Sequence, residues 1–325
     1  MSHYSPIISL LVTFSVTAII LNSRFRSKIQ DIPNERSLHA APTPRIGGVG
    51  LMAGVLCGWA LLFTSQVWWL LVPLIGLFIV SLLDDMHNMP VKQRLLVHFL
   101  AAALLVVGSG LLTREGIVVA VAMLLFTVWM TNLYNFMDGS DGLAGGMALF
   151  GFGMYGIAAL LGDNDTFAML NFSVAAAALG FLYYNFPPAK VFMGDAGSIP
   201  LGFIAAAMGL WGWQLGCWGV WFPLLVFSPF IVDASVTLVK RTLRGVKITE
   251  AHREHYYQRA IQMGWRHRQV ALVEYILMLG VGASALWSLQ QALPWQVFLV
   301  WSGIYGSLML VLDVRWKEFI RGRNE

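Results

Sequence analysis

The stretch Val67-Trp-Trp-Leu-Leu-Val-Pro-Leu-Ile-Gly-Leu-Phe-Ile-Val-Ser-Leu-Leu-Asp84-Asp85 decides how the rest of the chain is read. It is apolar over close to the 20 or so residues that a helix needs to cross a hydrocarbon core of ~30 Å. It then stops on two adjacent carboxylates. The composition repeats this message: of 325 residues, 58% are hydrophobic and 12% charged, about half the charged share of a soluble domain. So few charges cannot cover a water-facing surface, so lipid is the natural solvent. Eleven spans fit the pattern, at 5–22, 46–64, 67–84, 94–112, 116–133, 143–162, 166–184, 198–214, 217–239, 270–289 and 294–312. The pair 198–214 and 217–239 is barely separated, so ten spans are the alternative. The expected fold is all-α, a polytopic transmembrane helical bundle forming a single integral membrane domain over residues 1–325.

Charge placement orients these spans. Loops 23–45, 85–93, 134–142, 185–197 and 240–269, with the tail from 313 and Arg94 at a loop edge, hold twenty of the 21 Lys and Arg residues; Arg114 alone lies on the other side. The positive-inside rule makes that set cytoplasmic, with the N-terminus periplasmic and the C-terminus cytoplasmic. The first apolar run, Ile7 to Leu21, has no basic residue before it and Arg24, Arg26 and Lys28 after it. That is the reverse of a cleavable signal peptide. Trp68, Trp69, Trp213, Trp218, Trp221 and Trp295 read as an aromatic belt at the opposite interface. The net charge of +4 is therefore a topology signal, and no nucleic-acid partner is expected. Cys57 and Cys217, without CxxC or histidine neighbours, read as packing residues.

The loops on the basic side also hold most of the acids. Asp84-Asp85 faces the unfavourable end of a helix dipole and needs a cation, a proton or a basic partner. Arg94 as counter-ion is the bland reading; a metal-dependent acid/base pair is the sharp one. Asn132-Leu-Tyr-Asn135-Phe-Met-Asp138-Gly-Ser-Asp141-Gly spaces two amides and two acids by threes, with a glycine after each acid. Hard oxygen ligands at that density suit Mg²⁺ or the polar edges of a nucleotide. Asn185-Phe-Pro-Pro-Ala-Lys190-Val-Phe192-Met-Gly194-Asp195-Ala-Gly-Ser198 sets an acid between glycines just before a helix. Free N–H groups there suit phosphate oxygens, the acid can hold the metal that phosphate requires, and Lys190 can balance charge. Asp195 or Ser198 as a plain helix cap explains one residue only.

Three further features stay open. Arg36 and Arg45 in the proline-rich first loop can meet an anionic ligand or merely serve topology. The 240–269 loop carries Lys240, Arg241 and Arg244, then His252-Arg-Glu-His255-Tyr-Tyr-Gln-Arg259; it can face anionic lipid or bind a diphosphate. Asp233, inside span nine, is either a partner for Lys240 or a functional intramembrane acid. Gly47-Gly-Val-Gly50 can pack within the chain or between chains, which leaves room for a homodimer.

The Asp84-Asp85 pair, the Asn132 to Ala144 segment and, most specifically, Pro188-Ala-Lys-Val-Phe-Met-Gly-Asp195-Ala-Gly-Ser198 resemble the polyprenyl-phosphate N-acetylhexosamine-1-phosphate transferases over nearly the whole chain. That superfamily includes the phospho-N-acetylmuramoyl-pentapeptide transferase and the enzymes that initiate O-antigen and enterobacterial common antigen. The resemblance implies transfer of a sugar 1-phosphate from a UDP-N-acetyl sugar to undecaprenyl phosphate at the cytoplasmic face of the bacterial inner membrane, with release of UMP. It implies Mg²⁺, with Mn²⁺ as a substitute, on Asp195 and Asp138. Asp84, Asp85, Asp195, His252 and His255 would be catalytic, and Asn132, Asn135, Asp138, Asp141, Asn185, Lys190 and Phe192 would bind the nucleotide. One departure stands out: His252-Arg-Glu-His255 replaces the run of three histidines of the peptidoglycan enzymes. It is closer to O-antigen-initiating members that use 6-deoxy sugars such as N-acetylfucosamine. A transporter or flippase is the rival class, but its sites would lie near the midplane.

Overall fold

The computed structural model describes residues 2–27, 29–33, 38, 42–62, 67–247, 252–291 and 294–324. Arg36, whose role the sequence left open, lies outside them. Thirteen α-helices make up the described chain: α1 (Ser5–Leu21), α2 (Gly47–Ala60), α3 (Trp68–His87), α4 (Val91–Gly108), α5 (Leu111–Phe136), α6 (Leu143–Leu161), α7 (Asp165–Asn185), α8 (Asp195–Gln214), α9 (Trp221–Val226), α10 (Ser228–Leu243), α11 (Tyr256–Gln262), α12 (His267–Ser288) and α13 (Trp295–Asn324). A two-residue antiparallel pair, Gln30–Asp31 with Thr43–Pro44, is the one sheet among the described residues. The expected all-α polytopic bundle is what the chain forms.

Eight of these helices are long and apolar enough to cross a membrane, and α1 and α2 are shorter apolar helices. The ninth expected span, 217–239, is not one helix: it breaks at Phe227 into α9 and α10. Pro229, in the first turn of α10, has no N–H to continue the α9 ladder. Helix α13 also runs past the expected end at 312, carrying the basic tail as helix.

Helix α8 is the centre. Every residue from Asp195 to Leu210 is buried, and α2, α3, α5 and α6 pack around it. Its Gly and Ala content permits this: at Gly202 a Cβ would come within 2.5 Å of the Met130 carbonyl on α5. Helices α1 and α2 close by the same principle. Ser5, Ser9, Thr13 and Thr17 are buried at intervals of four, and a Cβ at Gly54 would sit 1.9 Å from Thr13 Oγ1. Gly48 lies against the Gly197 backbone of α8, so the Gly47–Gly50 stretch packs within the chain. The expected aromatic belt is partial. Trp68 and Trp295 are exposed, but Trp69 and Trp218 are core residues, and Trp218 Nε1 donates to the Gly209 carbonyl at 3.0 Å. Cys57 is exposed on α2 rather than packed inside.

Candidate active site

The C-terminal ends of α3, α5 and α7 meet the N-terminal ends of α6, α8 and α12, and the predicted acids and amides come together there. Gly194 makes the junction possible. Its φ of 72° is left-handed, and a Cβ would fall 2.8 Å from Asp85 Oδ2. A side chain is therefore excluded on both counts.

Asp195, in the first turn of α8, is the hub. Asn135 Nδ2 donates to Asp195 Oδ1 at 2.9 Å and also to Ser198 Oγ at 2.9 Å. Arg94 Nη1 spans Asp84 Oδ2 at 2.7 Å and Asp195 Oδ2 at 3.2 Å. Arg45 Nη2 lies 3.2 Å from Asp85 Oδ1 and 3.5 Å from Asp195 Oδ1. The adjacent acids have separate tasks. Asp84 accepts from the Met89 amide at 2.6 Å and from Arg94. Asp85 takes the Asp195 and Ala196 amides of α8, at 3.1 and 2.9 Å. Both residues therefore spend their oxygens on holding the site in shape, and the bland counter-ion reading of Arg94 is correct in part: it neutralises Asp84 and also touches the hub.

Two cavities flank this hub. The first, about 260 Å³, is polar and lined by Asp31, Leu38, Arg45, Asn135, Asp138, Gly139, Ser140, Asp141, Asn185, Phe192, Gly194, Asp195 and His267. Burial, with Asp195 next, pushes the Asp138 carboxyl well above the ordinary carboxylate range. Burial disfavours the Arg45 cation, but Asp85 and Asp195 outweigh it and hold its pKa above the ordinary value. Asn185 spends its amide on scaffolding: Oδ1 accepts from the Gly142 amide and Nδ2 donates to the Val191 carbonyl, both at 2.9 Å. Asp141 Oδ2 accepts from the Ala189 amide at 3.0 Å, which ties the two motif loops together.

The second cavity, about 560 Å³, is a largely apolar groove between α4 and α5. Leu95, Phe99, Leu125 and Trp129 line it, and Arg94, Asn132, His252, His255 and Gln258 form its polar end. Asn132 and the two histidines thus belong to the groove and not to the polar cavity. Lys190 is exposed and lines neither. Burial, then His255 and Arg241, push the His252 pKa down to about 4.

Four cations of the basic loop share two carboxylates. Arg241 and Arg244 both pair with Glu254, while Lys240 and Arg259 pair with Asp313 at 2.5 and 3.0 Å. The partner of Lys240 is therefore Asp313 and not Asp233. Sequence reading missed Asp31, Ser140 and His267 as cavity residues. His267 Nδ1 lies 3.0 Å from Ser140 Oγ and 3.3 Å from the Asp141 amide, and Nε2 lies 3.1 Å from the Leu38 carbonyl. A ring accepting at Nδ1 and donating at Nε2 satisfies all three. No local signal joins residues more than a hundred positions apart; the position of His267 at the start of a span was the only cue.

A polytopic helical membrane protein with a polar carboxylate cavity and an apolar groove linked by the Arg94–Asp195 ion pair is the class these observations define. The family described as glycosyl transferase family 4 matches residues 67–212. A Bacillus subtilis protein named as a probable undecaprenyl-phosphate N-acetylglucosaminyl 1-phosphate transferase is 29% identical, covering 97% of this chain and 94% of its own. The decaprenyl-phosphate N-acetylglucosaminephosphotransferase of Mycobacterium leprae is 27% identical over 82% of this chain and 78% of its own. A phospho-N-acetylmuramoyl-pentapeptide-transferase of Staphylococcus epidermidis is 27% identical over 86% and 97%. The chain is thus similar, over most of its length, to polyprenyl-phosphate N-acetylglucosamine-1-phosphate transferases and to phospho-N-acetylmuramoyl-pentapeptide-transferases.

Proposed function

We propose that this chain transfers an N-acetylhexosamine 1-phosphate from a UDP-sugar to undecaprenyl phosphate, releasing UMP and initiating a cell-surface polysaccharide such as O-antigen. The observation that carries the reading is the bridge of Arg94 between Asp84 and Asp195, which stands where the polar cavity and the apolar groove meet. The polar cavity suits a nucleotide diphosphate-sugar and the groove suits an isoprenoid tail with its phosphate at the Arg94 end. A lipid phosphate oxygen then attacks the sugar-bearing phosphorus; the new P–O bond forms as the bond to the UMP oxygen breaks. That nucleophile is mostly ionised near neutral pH, so orientation and charge neutralisation matter more than proton abstraction. The activities for which the relatives are named support the same reaction class.

Among the described residues, no three His, Cys, Asp or Glu side chains form a ready-made metal cage. The donor chemistry still fits Mg²⁺, which is bound through one or two carboxylates plus water and substrate phosphates. Asp195 and Asp138 would hold it, with Mn²⁺ as a substitute, and it would neutralise the diphosphate. Loop charge supports a site on the cytoplasmic face of the inner membrane. The donor sugar is a 6-deoxy N-acetylhexosamine such as N-acetylfucosamine, or N-acetylglucosamine. The test is a panel of radiolabelled UDP-sugars, including the muramoyl-pentapeptide, incubated with the purified chain, undecaprenyl phosphate and Mg²⁺. Label entering the lipid phase with one donor identifies the sugar; no lipid label from any donor overturns the reading.

A further inference from the structure

His267 and Ser140 line the polar cavity, yet the reaction, as outlined, gives neither a task. His267 opens α12, and its ring meets three groups. Nδ1 lies 3.0 Å from Ser140 Oγ and 3.3 Å from the Asp141 amide, and Nε2 lies 3.1 Å from the Leu38 carbonyl. Two of these neighbours have no choice of role. A backbone carbonyl can only accept, so Nε2 carries the ring proton. A backbone N–H can only donate, so Nδ1 of the neutral ring is the acceptor. The Ser140 hydroxyl faces that same nitrogen and must therefore donate to it. Its one proton is then spent, and its oxygen can only accept from any further partner.

The turn that carries Ser140 is held from two sides. Asp141 Oδ2 accepts from the Ala189 amide at 3.0 Å, and the Gly142 amide donates to Asn185 Oδ1 at 2.9 Å. On the other side the Tyr275 hydroxyl donates to the Gly142 carbonyl at 2.7 Å, and Tyr275 belongs to α12 as His267 does. The polar groups of the cavity then divide by role. Arg45 and Asn135 bring donors to the Asp195 end, which suits a diphosphate. Ser140 is an acceptor, which an ionised phosphate oxygen would repel. It must serve another part of the donor, one that carries an N–H or O–H. A UDP-sugar has such groups in its base imide, its hydroxyls and its acetamido N–H.

We propose that His267 is a positioning residue for the donor: it fixes the Ser140 hydroxyl as an acceptor, and Ser140 binds an N–H or O–H of the UDP-sugar in the polar cavity. This rests on the transferase reading and on that cavity holding the donor.

The test is the calorimetric Kd of UDP and of UDP-N-acetylglucosamine on the purified full chain in detergent with Mg²⁺, beside kcat and KM for the active donor. Ser140→Ala should weaken UDP-N-acetylglucosamine about 3- to 10-fold, the worth of one neutral hydrogen bond. It should raise KM to match, with kcat within about threefold. An equal loss for UDP puts the bound group in the nucleotide; an unchanged Kd for UDP puts it in the sugar. His267→Gln keeps a donor for the Leu38 carbonyl but loses the Nδ1 acceptor, and should weaken binding at least as far. His267→Asn keeps an acceptor near the Nδ1 position and should bind at least about threefold more tightly than His267→Gln. In the double variant of Ser140→Ala and His267→Gln the loss should be smaller than the product of the single losses. Equal Kd values for the Gln and Asn variants overturn the inference, as do losses that multiply, or a lowered kcat at unchanged KM in Ser140→Ala. Should His267→Gln fail to accumulate, Ser140→Ala alone decides, and an unchanged Kd for both ligands overturns the inference. A wild-type chain that binds neither ligand overturns the transferase reading as well, whereas a wild type that binds both, with Ser140→Ala indifferent, overturns only the inference.

Discussion

Asp85→Asn separates holding the site from doing its chemistry. The Asp85 side chain is fully buried, and its two oxygens accept the Asp195 and Ala196 amides at 3.1 and 2.9 Å. An asparagine has one oxygen. Its amide nitrogen must then face a backbone N–H or the Arg45 guanidinium, donor against donor. A buried donor left without a partner costs about 1–3 kcal/mol. Loss of the negative charge at the first turn of α8 adds about 0.3–1 kcal/mol. Together these come to about 1.3–4 kcal/mol. If the strain is relieved by moving Asp195, it is read in turnover as a loss of roughly 10- to 1,000-fold. The assay is UMP release by the purified chain, paired with the thermal midpoint of the same preparation. The expected result is both numbers falling together, with measurable residual turnover. Abolished turnover at an unchanged thermal midpoint would refute the reasoning, because it would put Asp85 on the reacting atoms. Unchanged values for both would remove Asp85 from the site altogether.

Other outcomes follow from the same geometry. Gly54→Leu forces a Cβ to within 1.9 Å of Thr13 Oγ1 and 2.5 Å of the Ser9 carbonyl; overpacking of about 1–3 kcal/mol or more should lower the thermal midpoint, while Gly153→Ala, with nothing within 4 Å, should not. Removing divalent cations with EDTA should stop turnover, and Mg²⁺ or Mn²⁺ should restore it. Asp195→Asn should abolish turnover without unfolding, and near-normal UMP release from it would sink the metal assignment. His252, held down to about 4 chiefly by burial, is protonated more readily in the unfolded chain, near 6.5. Stability should therefore fall as pH drops from about 6.5 toward about 4, and His252→Gln should flatten that fall in thermal melts.

The parts of this protein that can be read along the chain are those set by local chemistry. Apolar length fixed the spans because a helix must satisfy its backbone in lipid. Basic residues marked one side because most of them lie in loops or at helix ends. The carboxylate and amide segments were legible because glycine and oxygen ligands at close spacing have few other uses. Asn135, Asp138, Asp141, Asn185, Phe192 and Asp195 do line one cavity. The misreadings share a cause. The break at Phe227 depends on where one proline falls in a helix register. Trp69 and Trp218 look like interface residues until Trp211, Gly209 and Phe222 are packed against them. Lys240 and Asp233 are seven positions apart and invite pairing, but each finds a partner from a distant helix.

That last case also changes the meaning of the loop after α10. A run of basic residues with two histidines invites an anion, yet Lys240, Arg241, Arg244 and Arg259 are all paired with Glu254 or Asp313, which offset two of their four charges. What remains available at the groove end is Arg94, Asn132, His252, His255 and Gln258: one cation and four neutral or titratable groups. A single arginine that also serves Asp84 and Asp195 cannot by itself neutralise a phosphate dianion. Beside the cation held at Asp195, the amides of Asn132 and Gln258 at the same end can add hydrogen bonds to it.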